Sequence, residues 1–219
     1  YGMGEKATFE IAHRMKEGKA VNDIAGVCFI GTETVRDYIE LPAFTRVSSS
    51  KKAFIDAFRT FYDNNDPLTA KGLCQKQDTR YLIQNPPAEY LSRKELDKVY
   101  DLPFQRDAHR YFKRQGKVKA LETIRFSVST HRGCYGECSF CSIGVHEGRT
   151  VRWRSEQSVL SEVRKITKLK GFKGNILDVG GPTANMYGFE CQRKLDKGTC
   201  SHKRCLHPKV CRQLKPDHS

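Results

Sequence analysis

Residues 123–141 read TIRFSVSTHRGCYGECSFC, and this stretch decides the fold. In its first half Ile124, Phe126 and Val128 alternate with Arg125, Ser127 and Ser129, the period-two pattern of a strand. From Thr130 the alternation gives way to a loop with three cysteines at C-x3-C-x2-C spacing: Cys134, Cys138 and Cys141. Further on, Val159, Leu160, Val163, Ile166 and Leu169 keep helical spacing up to Gly171. The run Asn175-Ile176-Leu177-Asp178-Val179 then reads as a second strand, closing on Gly180-Gly181. Strand, loop, helix and strand form a βαβ unit, which predicts a right-handed crossover and a parallel sheet. Ligands of such units bind beyond the carboxyl ends of the strands, where both the cysteine loop and Gly180-Gly181 fall.

Three thiolates within eight residues do not readily pair with one another, but a loop folded around a cubane can offer them to three separate irons. One iron is then left without a protein ligand. A vacancy on a redox-active metal is a coordination site, as the open position of catalytic zinc is, so the spacing points to catalysis rather than structure. Gly133 and Gly136 are expected to take the positive-φ turns that such a loop needs, and their N–H groups to bond cluster sulfurs. Phe140, next to the third cysteine, is a candidate to pack over an aromatic ring of a bound cofactor.

The remaining composition agrees with metal. The chain has nine cysteines, an odd number, and seven of them follow residue 133, a distribution that suits metal ligation better than a disulfide framework. At 219 residues it has room for one large domain or two small ones. Its formal charge is +14 and 38% of its residues are hydrophobic, which excludes full disorder. No apolar run approaches the roughly 18 residues of a membrane span, and Tyr-Gly-Met-Gly-Glu-Lys is no secretory signal. A soluble cytoplasmic protein with no membrane partner is expected. An opening on Tyr1 reads as a piece of a longer chain.

The first 118 residues carry less chemistry. A helix is predicted from Glu5 to about Lys19 with Phe9, Ile11, Ala12 and Met15 as core positions, and a short strand over Val27–Ile30. Ser49 or Ser50 caps a helix whose Phe54, Ile55, Phe58, Phe61 and Tyr62 form one apolar face ending near Asn64. Ser92-Arg93-Lys94-Glu95 is a capping box. Cys28 in its apolar strand and Cys74 in a polar loop read as ordinary residues.

The string RGCYGECSFC resembles the cluster loop of radical S-adenosylmethionine (SAM) enzymes. The longer stretches STHRGCYGECSFCSIGVHEGRTVRWRS, LDVGGPTANMYGFEC and KGTCSHKRCLHPKVC resemble the YgiQ family of radical SAM proteins, and residues 1–118 resemble the end of the domain that precedes the barrel there. The resemblance implies that Cys134, Cys138 and Cys141 hold a [4Fe–4S] cluster whose fourth iron chelates SAM. Reductive cleavage of SAM would then give a 5′-deoxyadenosyl radical that abstracts hydrogen from a substrate, with flavodoxin or ferredoxin as electron donor. Gly180-Gly181 matches the first two positions of a Gly-Gly-Glu motif that bonds the SAM amino group, with Pro182 in place of the glutamate.

The fold class expected is α/β: residues 1–118 form part of an accessory segment plus linker, 119–190 the start of a parallel (β/α) barrel, and 191–219 a basic, irregular Cys-rich segment. In the last of these, Cys191, Cys200, Cys205 and Cys211 follow C-x8-C-x4-C-x5-C, a four-thiolate set suited to structural zinc or to an auxiliary cluster. His131 or His146 could complete a zinc site at the first loop, and His202 or His207 could stand in at the second. Between the last cysteines Arg193, Lys194, Lys197, Lys203, Arg204, Lys209, Arg212 and Lys215 could grip RNA phosphates, but few aromatic platforms accompany them, so a solvated basic surface is favoured. The rival to an enzyme is a non-catalytic basic zinc- or cluster-binding module that recruits RNA or a protein partner.

Overall fold

A computed structural model describes residues 2–182 and 185–216. The first ninety residues contain α1 (Glu5–Lys16), β1 (Cys28–Gly31), β2 (Ile39–Leu41), α2 (Phe44–Ser49), α3 (Lys51–Asp63), β3 (Leu73–Gln77) and β4 (Arg80–Gln84). Then come α4 (Arg93–Asp101), α5 (Arg110–Lys113), α6 (Ala120–Ile124), β5 (Val128–Ser129), β6 (His131–Arg132), α7 (Ile143–His146), β7 (Arg152–Trp153) and α8 (Glu156–Ile166). The chain ends with β8 (Val179–Gly180), β9 (Phe189–Glu190), α9 (Gln192–Lys197) and β10 (Lys215–Pro216). These elements fall into two compact units, one of residues 2–90, 133–150 and 190–216, the other of residues 91–132, 151–182 and 185–189.

The first unit is built on a four-stranded sheet in the order β1-β4-β3-β2, antiparallel except for the parallel β2–β3 pair. Cys74 and Ile83 face each other across β3–β4 and are both buried. Cys74 therefore belongs to a core strand, not to a polar loop: strand pairing buries a residue whose neighbours Gln75, Lys76 and Gln77 are polar. Ser50 caps α3 by accepting from the Ala53 N–H, and Asn64 ends it. The buried face of α3 is Ala53 and Ala57, whereas Phe54, Ile55 and Phe58 are exposed. In α1 likewise Ala7 is buried while Phe9 and Met15 are exposed, so the larger side chains are not the core positions that their spacing predicts. Small residues let these helices approach closely, and the bulky ones are left on the outer side.

In the second unit α4 opens with the Ser92–Glu95 capping box and packs against α8, which Ser155 caps. β5 pairs in parallel with β8, Val128 opposite Val179 and Ser129 opposite Gly180, with α8 between them in sequence. The strand expected over 123–129 is shorter than its alternation suggests. Residues up to Ile124 are helical, and Arg106 Nη1 donates to the Arg125 and Ser127 carbonyls at 3.0 and 2.8 Å, occupying acceptors that a longer ladder would use. The second strand likewise covers Val179–Gly180, not 175–179.

Arg154 organises this unit. Its guanidinium is fully buried, donates to the Ser129 carbonyl at 2.9 Å and to Ser158, pairs with Glu162, and lies 4.2 Å over the Tyr100 ring. Glu162 also pairs with Arg106. Two cations around one carboxylate satisfy a site that a lone charge could not occupy.

Candidate functional site

The cysteine loop lies in the first unit. Gly133 starts it at φ +79, and a Cβ there would stand 2.3 Å from the Thr150 carbonyl oxygen, so only glycine fits. Its N–H donates to Glu147 Oε2 at 3.0 Å, and the Cys134 N–H donates to the Gly148 carbonyl at 3.1 Å. Gly136, by contrast, does not take a positive φ; the left-handed residue is Glu137, at φ +50. What Gly136 supplies is space. Its N–H donates to Cys134 Sγ at 3.1 Å, and a Cβ would meet Cys134 Sγ at 3.1 Å and Cys138 Sγ at 3.5 Å. Both sulfurs thus lie over the bare face of one glycine, and the Cys141 N–H closes the turn onto the Cys138 carbonyl at 3.0 Å.

Side chains brace this backbone from below. The Glu137 carboxylate is 3.6 Å from Arg149 Nη1, with both side chains buried. Arg149 also donates to Thr199 Oγ1 at 2.9 Å and lies 4.6 Å over the Tyr62 ring. Tyr135 is fully buried, whereas Phe140 is 90% exposed beside Cys141. Spacing identifies the cysteines; Glu137 and Arg149 carry no comparable signal, because only the tertiary fold brings 137, 149 and 199 together. His146 ends α7 exposed to solvent.

Among the described residues none of the nine cysteines forms a disulfide, and no three His, Cys, Asp or Glu side chains converge on one point as ligands of a single ion. A cubane makes no such demand, since each thiolate meets its own iron. Two sulfurs, Cys134 and Cys138, lie over Gly136, and its amide donates to the first of them.

Gly180 and Gly181 belong to the second unit, where they line an open cleft of about 580 Å³ at the carboxyl ends of β5 and β8. The Gly180 carbonyl accepts from the Thr130 N–H at 2.6 Å and keeps a second lone pair. Gly181 is pressed against the buried His131 ring, where an added Cβ would meet ring atoms at 2.4 Å. His131 Nδ1 is 2.9 Å from Thr130 Oγ1. Apolar Val159 and Leu160 and acidic Glu156 and Asp178 complete the walls. Glu156 and Asp178 have no motif to mark them; their places at a helix start and a strand end are the only sequence signal.

The second cysteine set is gathered in the first unit. Cys191, Cys200, Cys205 and Cys211 all line one cavity of about 170 Å³. The basic residues between them are not all solvated, since Lys194 is buried and donates to the Arg149 carbonyl at 2.7 Å.

Residues 1–127 match the family described as radical SAM N-terminal, more than half of the chain, and the protein belongs to that family. Along its full length it is 52% identical to a UPF0313 protein of Fusobacterium nucleatum, and 44% identical to UPF0313 proteins of Methanocella arvoryzae and of Thermotoga neapolitana. UPF0313 proteins are the YgiQ-type radical SAM proteins, as the resemblance of the cysteine loop implies. The chain spans 39%, 37% and 39% of the length of these three relatives. No solved structure matches it. Among the described residues no helix is long and apolar enough to cross a membrane.

Proposed function

We propose that the protein is a radical SAM enzyme whose cluster is held by Cys134, Cys138 and Cys141 and whose SAM amino group is received at Gly180 and Gly181. The observation that carries this reading is the pair of sulfurs, Cys134 and Cys138, over the bare face of Gly136. When bound, the cluster and SAM supply one-electron cleavage of the sulfonium and hydrogen abstraction from a substrate, fed by a donor of the flavodoxin or ferredoxin kind.

The chain's own residues have the tasks of holding and shielding. Three thiolates leave one iron open, and the Gly136 amide offsets negative charge on sulfur. The Glu137–Arg149 pair braces the loop against Tyr62 and Thr199. In the cleft the free lone pair of the Gly180 carbonyl accepts from an ammonium group, and Val159 and Leu160 present apolar wall. In the loop, exposed Phe140 is free to cover a purine ring.

The test is anaerobic reconstitution with iron and sulfide, then electron paramagnetic resonance of the reduced protein with and without SAM. A [4Fe–4S] signal that SAM alters and that Cys138→Ala removes is expected. Zinc alone, with no SAM-sensitive signal, would overturn the reading in favour of a basic metal-binding module.

A further inference from the structure

The four cysteines of residues 191–211 surround a single cavity of about 170 Å³. Cys191 and Cys205 are buried at its base, and Cys200 and Cys211 are half-buried at its edge. Cations stand beside three of the four thiols: Arg193 Nη1 is 2.8 Å from Cys200 Sγ, Lys194 acts on Cys205 and Lys203 on Cys211. Their positive charge offsets that of a tetrathiolate metal group.

Zinc and a cluster make different demands on this cavity. Tetrahedral zinc at about 2.3 Å from each sulfur draws its four ligands around a single point. These four thiols are set around a space of about 170 Å³, many times the roughly 10–15 Å³ that a single water-sized particle takes up. A cubane has its four irons at separate corners and needs ligands spread in that way. His202 lines the cavity too, but its Nδ1 is 3.3 Å from Ser201 Oγ, within its own turn.

We infer that Cys191, Cys200, Cys205 and Cys211 bind a second [4Fe–4S] cluster, closed by four protein thiolates and without an iron open to SAM. Its ligands are other residues than those of the loop, and its test does not depend on the loop cluster. Lys194 connects the two regions within one unit: it lines the cavity with the four cysteines and stands 5.2 Å over the ring of Tyr135 in the loop.

The experiment removes the loop ligands together, as Cys134→Ala, Cys138→Ala and Cys141→Ala, and measures iron, sulfide and zinc in the protein after anaerobic reconstitution. About four iron and four sulfide per chain are expected to remain, with a reduced-state resonance that SAM does not alter. Adding Cys200→Ser and Cys211→Ser, at the half-buried edge where the fold is least disturbed, is expected to remove them while circular dichroism stays unchanged. One zinc and no iron in the triple variant, or no metal at all, would overturn the inference. If the triple variant binds as much iron as the unaltered protein, the second cluster stands and the loop reading fails.

Discussion

Lys194 Nζ stands 5.2 Å over the ring of Tyr135, with both side chains almost wholly buried. The same ammonium donates to the Arg149 carbonyl, so one side chain ties the Cys-rich segment to the bend that follows α7. Lys194→Met keeps the apolar stem but leaves that carbonyl without its donor, at a cost of about 1–3 kcal/mol. Urea unfolding measures it. A change within error would mean that the lysine is only accommodated there, not holding the two stretches together.

Glu162 lies between Arg106 and Arg154. Glu162→Ala strands two guanidinium groups, one of them fully buried, and is expected to destabilise the protein by about 3–5 kcal/mol. Arg106→Met, which leaves Glu162 its pairing with Arg154, should cost less. Thermal unfolding of both variants decides the order, and the reverse order would refute a shared carboxylate as the centre of the network.

The adjacent glycines of the cleft are not equivalent. A Cβ at Gly180 would meet only Asp178 Oδ1, at 3.5 Å, which is ordinary contact, whereas one at Gly181 runs into the His131 ring. Gly181→Ala should therefore lose about 1–3 kcal/mol through overpacking, and Gly180→Ala much less. Equal losses on chemical denaturation would argue against a fixed His131.

At the loop, Gly136→Ala is expected to lower iron loading severalfold with little change in fold, because its methyl group enters the space between two sulfurs. Phe140→Ala, at a 90% exposed position, should change stability by no more than about 0.5 kcal/mol while weakening SAM binding. Colorimetric iron and calorimetric SAM titration separate the two effects. Unchanged SAM affinity in the phenylalanine variant would remove Phe140 from the cofactor site.

One surface pair gives an acid signature. The Lys165 ammonium, 2.5 Å from Asp101, holds that carboxyl below the ordinary carboxylate range. A depressed folded pKa contributes stability above the unfolded value, near 3.9, and loses it as pH falls through the folded one. The pair is exposed, so its effect is small. Lys165→Gln should lower the melting temperature slightly at pH 7 and cease to do so in strong acid; a difference that persists there would assign the effect to something other than this pair.

Local signals were legible where they act locally. Ser50 and Asn64 bound α3, Ser92 and Glu95 open α4, and the parallel β5–β8 pairing follows from the order of apolar segments. The misread positions are those decided by distant partners. Arg106 captures the carbonyls that would have lengthened β5, and the neighbours of Cys74 on either side in the sheet bury it among polar residues. The spacing of the cysteines marks two groups of thiols, but nothing in the sequence reveals that Glu137 takes the left-handed turn or that Lys194 is buried.

Three separated stretches of chain complete the first unit, and this sets an order of events during synthesis. Tyr135 leaves the ribosome well before Lys194, and at about 5–20 residues per second the delay is on the order of 3–12 seconds. For that interval the loop is out without the segment whose Lys194 packs on Tyr135. An iron–sulfur donor acting on the nascent chain would reach Cys134, Cys138 and Cys141 most easily then, and so would dissolved oxygen. The timing of translation thereby sets how long these three thiols stay accessible before the first unit closes.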